Sequence, residues 1–189
     1  MADNLAYQEE WREELIDGKV VMMAPASMNH VFIAGNIYNA FSNYLRGKKC
    51  TPIMDGALVC LTENDHFIPD MMVVCDRSKI TDNGVFGAPD LVVEVLSPST
   101  AKNDKTHKKE IYAKCGVREY WLVSPSDKFI EVYHNSGGEF VLYDVYTVYS
   151  DWLLSKMSEA ERAAVVTHFK CSLFSDFEIS LSDIFRGLV

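Results

Sequence analysis

The feature that most constrains this chain is a carboxylate inside a strand that has the sequence of a fully buried one. Residues 91–96 are apolar and mostly β-branched except for Glu94, and Pro89 and Pro98 bound the run. Such a run is typical of a core strand that is covered on both faces. A carboxylate there loses its hydration, so a cation, a metal ion or a proton has to compensate it.

Chain length, composition and net charge limit the classes of protein that this sequence can belong to. A chain of 189 residues that is 48% hydrophobic and 24% charged can bury one good core, so we predict a single domain over residues 1–189. No run approaches the roughly 18 apolar residues that a membrane span needs, and the acidic start resembles no targeting segment. We therefore expect a soluble cytoplasmic protein. A net charge of −9 argues against an open, non-specific surface for polyanions, which depends on lysine and arginine.

The cysteines suggest no covalent or metal framework. They are odd in number, widely spaced and free of any CxxC pair, so we predict neither disulfides nor a thiolate metal site. We expect small buried hydrophobic side chains at all five positions: Cys50, Cys60, Cys75, Cys115 and Cys171.

Turn and helix signals outline the order of elements. Asp17-Gly18 between two apolar segments predicts a β-hairpin over 13–24. Ser27 begins a helix whose apolar positions, Val31 among them, recur at helical spacing as far as Leu45. The other predicted elements are strands within 57–65, 66–76 and 90–97, a helix at 101–115, a strand at 118–125, a hairpin at 128–146, a helix near 158–166, a terminal strand and a helix near 181–188.

Two Pro-Asp dipeptides begin strands, and strand direction discriminates between them. If the strands that follow Asp70 and Asp90 pair antiparallel, Asp70 lies beside Glu94 and the two can share one ion. Asp90 lies four residues from Glu94, about 13 Å along the same strand. We expect Asp90 to accept backbone hydrogen bonds instead. A parallel pairing would reverse this choice.

The helix at 101–115 presents a single lysine to the core. On a helical wheel Lys108 shares a face with Asp104, Ile111, Tyr112 and Cys115, whereas the other lysines of this helix lie off that face. We predict that Ile111 and Cys115 dock on the sheet and that Lys108 points toward Glu94. There it could stabilise developing negative charge or orient a water. The alternative is an ion pair with Asp104 one helical turn away.

Two carboxylates and a lysine are the groups that metal-assisted phosphodiester hydrolysis uses. A hard cation such as Mg²⁺ is held by one or two carboxylates, activates the attacking water and neutralises charge in the transition state. Paired acids near a core strand also occur as structural ion pairs. A glycosidase would need a carboxyl separation that the sequence does not define.

One stretch resembles a known family. The segment PDLVVEVLSPST, followed by Asp104, Lys108 and Tyr112 and then by GVREYWLVSP, is similar to the signature of the Uma-two family in the PD-(D/E)xK nuclease superfamily. Upstream, EELIDGKVVMMAP, His30 and FIPDMMVV resemble the opening of the same family. The resemblance covers approximately residues 10–150.

The resemblance implies a restriction-endonuclease-like α/β fold, with a central mixed sheet flanked by helices, an αβββαβ core and added hairpins. It also implies a metal-dependent DNA endonuclease in which Asp70 and Glu94 bind Mg²⁺ or Mn²⁺. The lysine expected two residues after Glu94 is Leu96 here, and Lys108 is its natural replacement. The first helix lacks the acid that relatives often carry, and Glu14 is only a remote substitute.

The remaining expectations concern aromatic residues, His30 and partners. We expect Tyr112, Tyr120 and Trp121 to be core residues, and His30 to pack rather than face the site. Leu96 and the negative charge also allow an inactive module that binds nucleic acid or a protein partner. Because many nucleases of the superfamily are dimers, we expect a homodimer that uses the terminal hairpins.

Overall fold

The computed structural model describes residues 12–189. The acidic start, in which we found no targeting segment, lies mostly outside these residues. In chain order the strands are β1 (Glu13–Ile16), β2 (Lys19–Met22), β3 (Thr51–Met54), β4 (Val59–Cys60), β5 (His66–Phe67), β6 (Met71–Val74), β7 (Ile80–Thr81), β8 (Gly84–Phe86), β9 (Leu91–Val95), β10 (Glu119–Ser124), β11 (Phe129–Ser136), β12 (Glu139–Thr147), β13 (His168–Lys170) and β14 (Glu178–Ser180). The helices are α1 (Met28–Leu45), α2 (Ala101–Lys105), α3 (His107–Cys115), α4 (Asp151–Lys156), α5 (Glu159–Ala163) and α6 (Leu181–Ile184), with a 3₁₀ turn at Arg77–Lys79. Within the described range no helix has the length and apolar character to cross a membrane.

The central sheet is mixed, as the expected fold class requires. Its strand order is β12-β11-β10-β9-β6-β3, and only the β9–β10 pair is parallel. Helices α2 and α3 form the crossover between these two parallel strands, which is the connection that parallel neighbours need. Every residue of β9 and β10 is buried.

A second six-stranded sheet, in the order β2-β1-β5-β4-β8-β7, lies beside the central one. The predicted hairpin at 13–24 is confirmed as β1–β2, and Asp17 and Gly18 at its turn both have the positive φ that tight hairpin turns require. The strand predicted over 66–76 is divided, because β5 belongs to this sheet and β6 to the central one. Asp70 lies at that division. We did not predict β3, β7 or β8.

Helix α1 covers one face of the central sheet. The Ser27 cap is confirmed, since its Oγ accepts the His30 N–H at 3.3 Å, and the helix ends at Leu45 as predicted. Val31 was expected on the buried face, but it is 43% exposed. The buried residues of α1 are Ile33, Ala34, Ile37, Phe41 and Leu45.

The helix predicted at 101–115 is broken at Thr106, where φ is −122° and ψ is −95°. Ile111 and Cys115, which we expected to dock on the sheet, are only half-buried, whereas Tyr112 of the same predicted face and its neighbour Ala113 are buried. Asp104 and Tyr112, on either side of the break, both stay on the buried face. Lys108 is nevertheless buried, as predicted, at 2% exposure.

The aromatic core residues occupy the two faces of the central sheet. Trp121 packs against Phe41 of α1, with ring centroids 5.7 Å apart, and Tyr112 and Tyr120 are fully buried on the opposite face. The core assignment of these three predicted aromatics is confirmed. Near the end of the chain, α4 and the pairing of β13 with β14 were not predicted, and α6 is shorter than expected.

The expectation that no cysteines pair is wrong. Cys50 and Cys75 form a disulfide with a Cα–Cα distance of 3.9 Å. The β3–β6 register explains this disulfide. It places Thr51 opposite Val74, so the residues just beyond that pair, Cys50 and Cys75, also lie opposite each other. Of the free cysteines, only Cys171 is fully buried.

Candidate active site

Asp70 and Glu94 lie just beyond the point where strands β6 and β9 of the central sheet stop pairing. Strands β6 and β9 are antiparallel, as we assumed, and their register ends at the pair Met71 and Val93. Beyond that pair the Val95 N–H has no strand partner on this side, and it donates to Asp70 Oδ2 at 2.7 Å. Both carboxylates are nearly buried, at 6% exposure for Asp70 and 3% for Glu94.

Asp90 has the structural position that we expected. Its Oδ2 accepts the Cys75 N–H at 2.8 Å, and its Oδ1 lies 3.7 Å from Arg118 Nη1. It therefore holds the start of β9 and does not line the cleft at Asp70.

Lys108 contacts three carboxylates at once. Its Nζ lies 2.8 Å from Glu14 Oε1, 3.3 Å from Glu94 Oε1 and 3.3 Å from Asp104 Oδ1. The two alternatives that we left open, a contact with Glu94 and an ion pair with Asp104, are thus both present.

Glu14 is a member of the site and not a remote substitute. It is 4% exposed, and besides the contact with Lys108 its Oε1 accepts the Ile68 N–H at 2.8 Å. A signal was available in the sequence, because alternation along β1 puts Glu14 on the same face as buried Ile16. What the sequence did not indicate is that this face packs over Lys108.

His30 faces the site, so our expectation that it packs elsewhere is wrong. Its Nε2 lies 2.8 Å from Asp70 Oδ1. Burial by itself lowers the pKa of His30, but the hydrogen bond and the charge of Asp70 outweigh it and raise the pKa. Because Val95 holds the other oxygen, both oxygens of Asp70 are fixed.

Tyr112 and Asp104 complete the cluster. The Tyr112 hydroxyl donates to Glu94 Oε1 at 3.1 Å, and burial together with the Glu94 charge raises the pKa of Tyr112, so the hydroxyl keeps its proton. Asp104 is 1% exposed, and its Oδ1 contacts Lys108 without accepting a hydrogen bond of good geometry. The sequence indicated the contact of Asp104 with Lys108 but not the hydrogen bond of Tyr112 to Glu94.

Negative charge exceeds positive charge in this cluster. The carboxylates of Glu14, Asp70, Glu94 and Asp104 are buried together with one lysine. Burial, reinforced by the neighbouring acids, raises the pKa of Glu94 well above its ordinary value, and burial also raises the pKa of Glu14 and of Asp104. A further cation would relieve this surplus.

The cluster opens into a cleft of about 1080 Å³. Asp70, Glu94 and Asp104 line it, together with His30, whereas Lys108 is not among the lining residues. Lys108 therefore approaches Glu94 from the protein side, and a molecule in the cleft meets the carboxylates first.

The donors available suit a hard, oxygen-ligated cation. Within residues 12–189 no three His, Cys, Asp or Glu side chains converge into a ready-made metal cage. Mg²⁺ seldom uses such a cage, because it keeps several waters and binds through one or two carboxylates and the phosphates of a substrate. Asp70 and Glu94 at the edge of an open cleft fit that mode of binding.

Comparisons with known proteins agree with this architecture. Residues 2–161 match the model of the Uma2 family, which is described as "Putative restriction endonuclease". Two Synechocystis proteins are similar in sequence: slr1290 is 33% identical over 143 residues, covering 73% of this chain and 75% of its own, and sll1609 is 29% identical over 142 residues, covering 72% and 80%.

A solved structure has the same fold. It comes from Anabaena variabilis and is described as "a putative nuclease belonging to DUF820". The TM-score is 0.63 at 18% identity, and the match covers 92% of this chain and 89% of that one. The predicted fold class is therefore confirmed.

Proposed function

Since this chain belongs to the Uma2 family, we propose that it is a metal-dependent DNA endonuclease that hydrolyses phosphodiester bonds. The observation that carries the proposal is the cluster of four buried carboxylates, of which three contact a single lysine and three line an open cleft. A structural ion-pair network has no need to leave surplus charge facing a cleft. A site that binds a cation and a phosphate does.

Asp70 and Glu94 would hold the ion, Mg²⁺ or Mn²⁺. Bound there, such an ion polarises a phosphoryl oxygen and makes its water a stronger nucleophile. His30 and the Val95 N–H fix the orientation of Asp70. Tyr112 and Lys108 hold Oε1 of Glu94, which leaves the other oxygen of that carboxylate for the ion.

Lys108 acts in this proposal through Glu94. Lys108 takes the role of the lysine that is expected at position 96, where this chain has leucine. It contacts Glu94 from the protein interior, whereas Leu96 lines the cleft. Burial raises the pKa of Glu94 well above its ordinary value, and the charge of Lys108 opposes that rise, so it favours the ionised form that a metal ligand requires.

Cleavage assays with Mg²⁺ or Mn²⁺ test the proposal. We expect the wild type to cut DNA, and Glu94→Gln and Asp70→Asn to lose both cleavage and the Mn²⁺ uptake seen by calorimetry. Glu119→Gln is the matched control, because Glu119 is equally buried and does not line the cleft. Equal cleavage by wild type and Glu94→Gln would overturn the assignment.

A second candidate is a nuclease-fold module that binds nucleic acid or a protein partner without turnover. Leu96 favours it, since the cation expected beside the scissile phosphate is an aliphatic side chain here. Mn²⁺ uptake that depends on Asp70, together with cleavage, excludes this candidate. Retained nucleic-acid binding without metal uptake would support it.

The homodimer stays a prediction. The surface that suits it is the outer strand β12 of the central sheet, where Val141, Tyr143 and Val145 are exposed next to an unpaired edge. Light scattering on the purified protein, compared with Tyr143→Lys, measures whether this edge joins two copies.

A further inference from the structure

The cleft is poor in the cations that double-stranded DNA requires. Among the described residues that line it there is no lysine and one arginine, Arg12, which is paired with Asp55. Nucleic-acid binding depends on lysine and arginine contacts to phosphates, and this dependence is steeper for a duplex than for a single strand. The lining therefore offers little to a duplex beyond the ion that Asp70 and Glu94 would hold.

Two lysines close to the cleft in sequence are engaged elsewhere. Lys105 lies 3.1 Å from Glu131, and the Lys109 amine lies 3.5 Å from the centre of the Tyr133 ring, both over β11. Neither residue lines the cleft, and Lys102, which is exposed on the same stretch, does not line it either. The helices that follow the site thus place at most one unengaged lysine near its mouth.

Aliphatic side chains form part of the walls of the cleft. Met23, Pro25 and Val31 are among them, of which Val31 is 43% exposed, and the lining also includes Leu96 and Pro98. The faces of nucleic-acid bases are apolar and bind between aromatic or aliphatic side chains once they leave the base stack. Paired bases keep those faces stacked within the helix, so a duplex cannot use these walls.

Neutral hydrogen-bonding groups lie among the apolar ones. Asn29, Ser97, Ser99, Thr100 and Ser126 all line the cleft. They can contact base edges or sugar hydroxyls without adding charge. In a paired base the Watson–Crick edge is occupied, so these groups too favour unpaired nucleotides.

We infer that the substrate of this site is a nucleic-acid segment with unpaired bases, either a single strand or a locally opened duplex. This inference rests on the proposed function. The phosphodiester lies at Asp70 and Glu94, and the flanking nucleosides lie against the aliphatic walls. Leu96 then contacts a nucleoside beside the scissile phosphate, which gives a reason for an aliphatic residue at that position.

The test compares three substrates of one sequence with Mn²⁺: a single strand, a full duplex and a duplex that contains an unpaired bubble. We expect kcat/KM to be about tenfold or more higher for the single strand than for the duplex, because opening a duplex costs a few kcal/mol. In the third substrate we expect cuts within or next to the bubble. Equal rates on single strand and duplex would overturn the inference.

A small phosphodiester separates this result from the proposed function. Hydrolysis of bis(p-nitrophenyl) phosphate that is lost in Glu94→Gln supports the function whatever the strand preference is. If that ester and all three nucleic acids stay intact, the proposed function fails. Fluorescence anisotropy with the same three nucleic acids then decides the inference, because tighter binding of the single strand supports it and equal binding contradicts it.

A wall variant tests the contact itself. Val31→Ser should raise KM for the single strand by roughly tenfold, the loss expected for about one base contact, and should leave the Mn²⁺ affinity measured by calorimetry unchanged. Val166→Ser is the matched control, since Val166 is similarly exposed and does not line the cleft. If both variants behave like wild type, the walls do not bind bases.

Discussion

Glu94 and Glu119 are buried glutamates on neighbouring parallel strands, and they have opposite surroundings. Glu94 is 3% exposed and Glu119 is fully buried. Glu119 accepts hydrogen bonds from Trp121 Nε1 at 2.6 Å and from the Ser172 N–H at 2.8 Å, and from the Ser172 hydroxyl as well. Glu94 instead contacts a lysine and a tyrosine within a cluster of other carboxylates.

The difference shows that burial of a charge does not identify a functional carboxylate. Neutral donors satisfy both oxygens of Glu119 and attach β10 to the chain that follows β13, so neither oxygen is left without a hydrogen-bond partner. Glu94 lies three residues further along the paired strands, at the end that opens into the cleft, and there the acids outnumber the cations. The partners of a buried acid therefore reveal more than its exposure.

The largest effect should come from removing the cation of the acidic cluster. Lys108→Met leaves three contacting carboxylates without compensation, and we expect the free energy of unfolding to fall by about 3–5 kcal/mol at neutral pH. Part of the loss should be recovered near pH 5, where the acids take up protons. Urea denaturation at the two pH values measures this, and Lys114→Met, in an exposed pair with Glu110, should change nothing measurable.

Glu94→Gln should separate function from stability. We expect kcat for metal-dependent cleavage to fall about 100-fold to 1000-fold, as with the loss of other key electrostatic groups. The free energy of unfolding should stay equal or increase, because the variant removes a buried charge from an over-acidic cluster. A large loss of stability in this variant would mean that Glu94 resembles Glu119 after all.

Glu119→Ala should reduce stability and leave metal binding and cleavage unchanged. Its hydrogen-bond donors lose their acceptor, so we expect about 2 kcal/mol less stability, measured by urea denaturation. Mn²⁺ affinity and kcat per folded molecule should match the wild type. Reduced metal affinity would show that the two glutamates are coupled, contrary to the comparison.

The smallest effect should be the pH dependence of the metal-free protein. The folded-state pKa of Glu94, Glu14 and Asp104 is raised, chiefly by burial, so the folded protein binds these protons more tightly than the unfolded chain does. Their contribution to stability is complete below the ordinary value, 4.5 for a glutamate, and is lost as pH rises through the raised values. Thermal melts should therefore show lower stability at pH 7 than at pH 5.

Metal ions and a variant sharpen that measurement. Saturating Mn²⁺ should weaken the dependence of stability on pH, since the ion compensates the acids in place of protons. The difference in this slope, stability against pH, between wild type and Glu94→Gln gives the contribution of Glu94. An unchanged slope in the variant would contradict the assignment of the surplus charge to this residue.

Local sequence predicted much of the site. The apolar run of β9 indicated that Glu94 is buried, and the Pro-Asp dipeptide together with an assumed antiparallel pairing selected Asp70. The helical wheel selected Lys108. The break at Thr106 did not change this choice, since Asp104 before the break and Lys108 after it are both buried. Turn and cap signals at Asp17 and Ser27 also led to elements that the structure contains.

Long-range packing decided the remainder. Glu14 reaches Lys108 from the second sheet, His30 reaches Asp70 across forty residues, and Cys50 meets Cys75 through strand register. Periodicity and capping depend on near neighbours in the chain, whereas these contacts depend on how separate elements are oriented against one another. The sequence by itself therefore determined which strand carries a buried acid and which helix face carries a lysine. Only the tertiary structure decided that three acids share that lysine and that Asp70 is buried near them, because a surplus of charge arises where distant segments pack together.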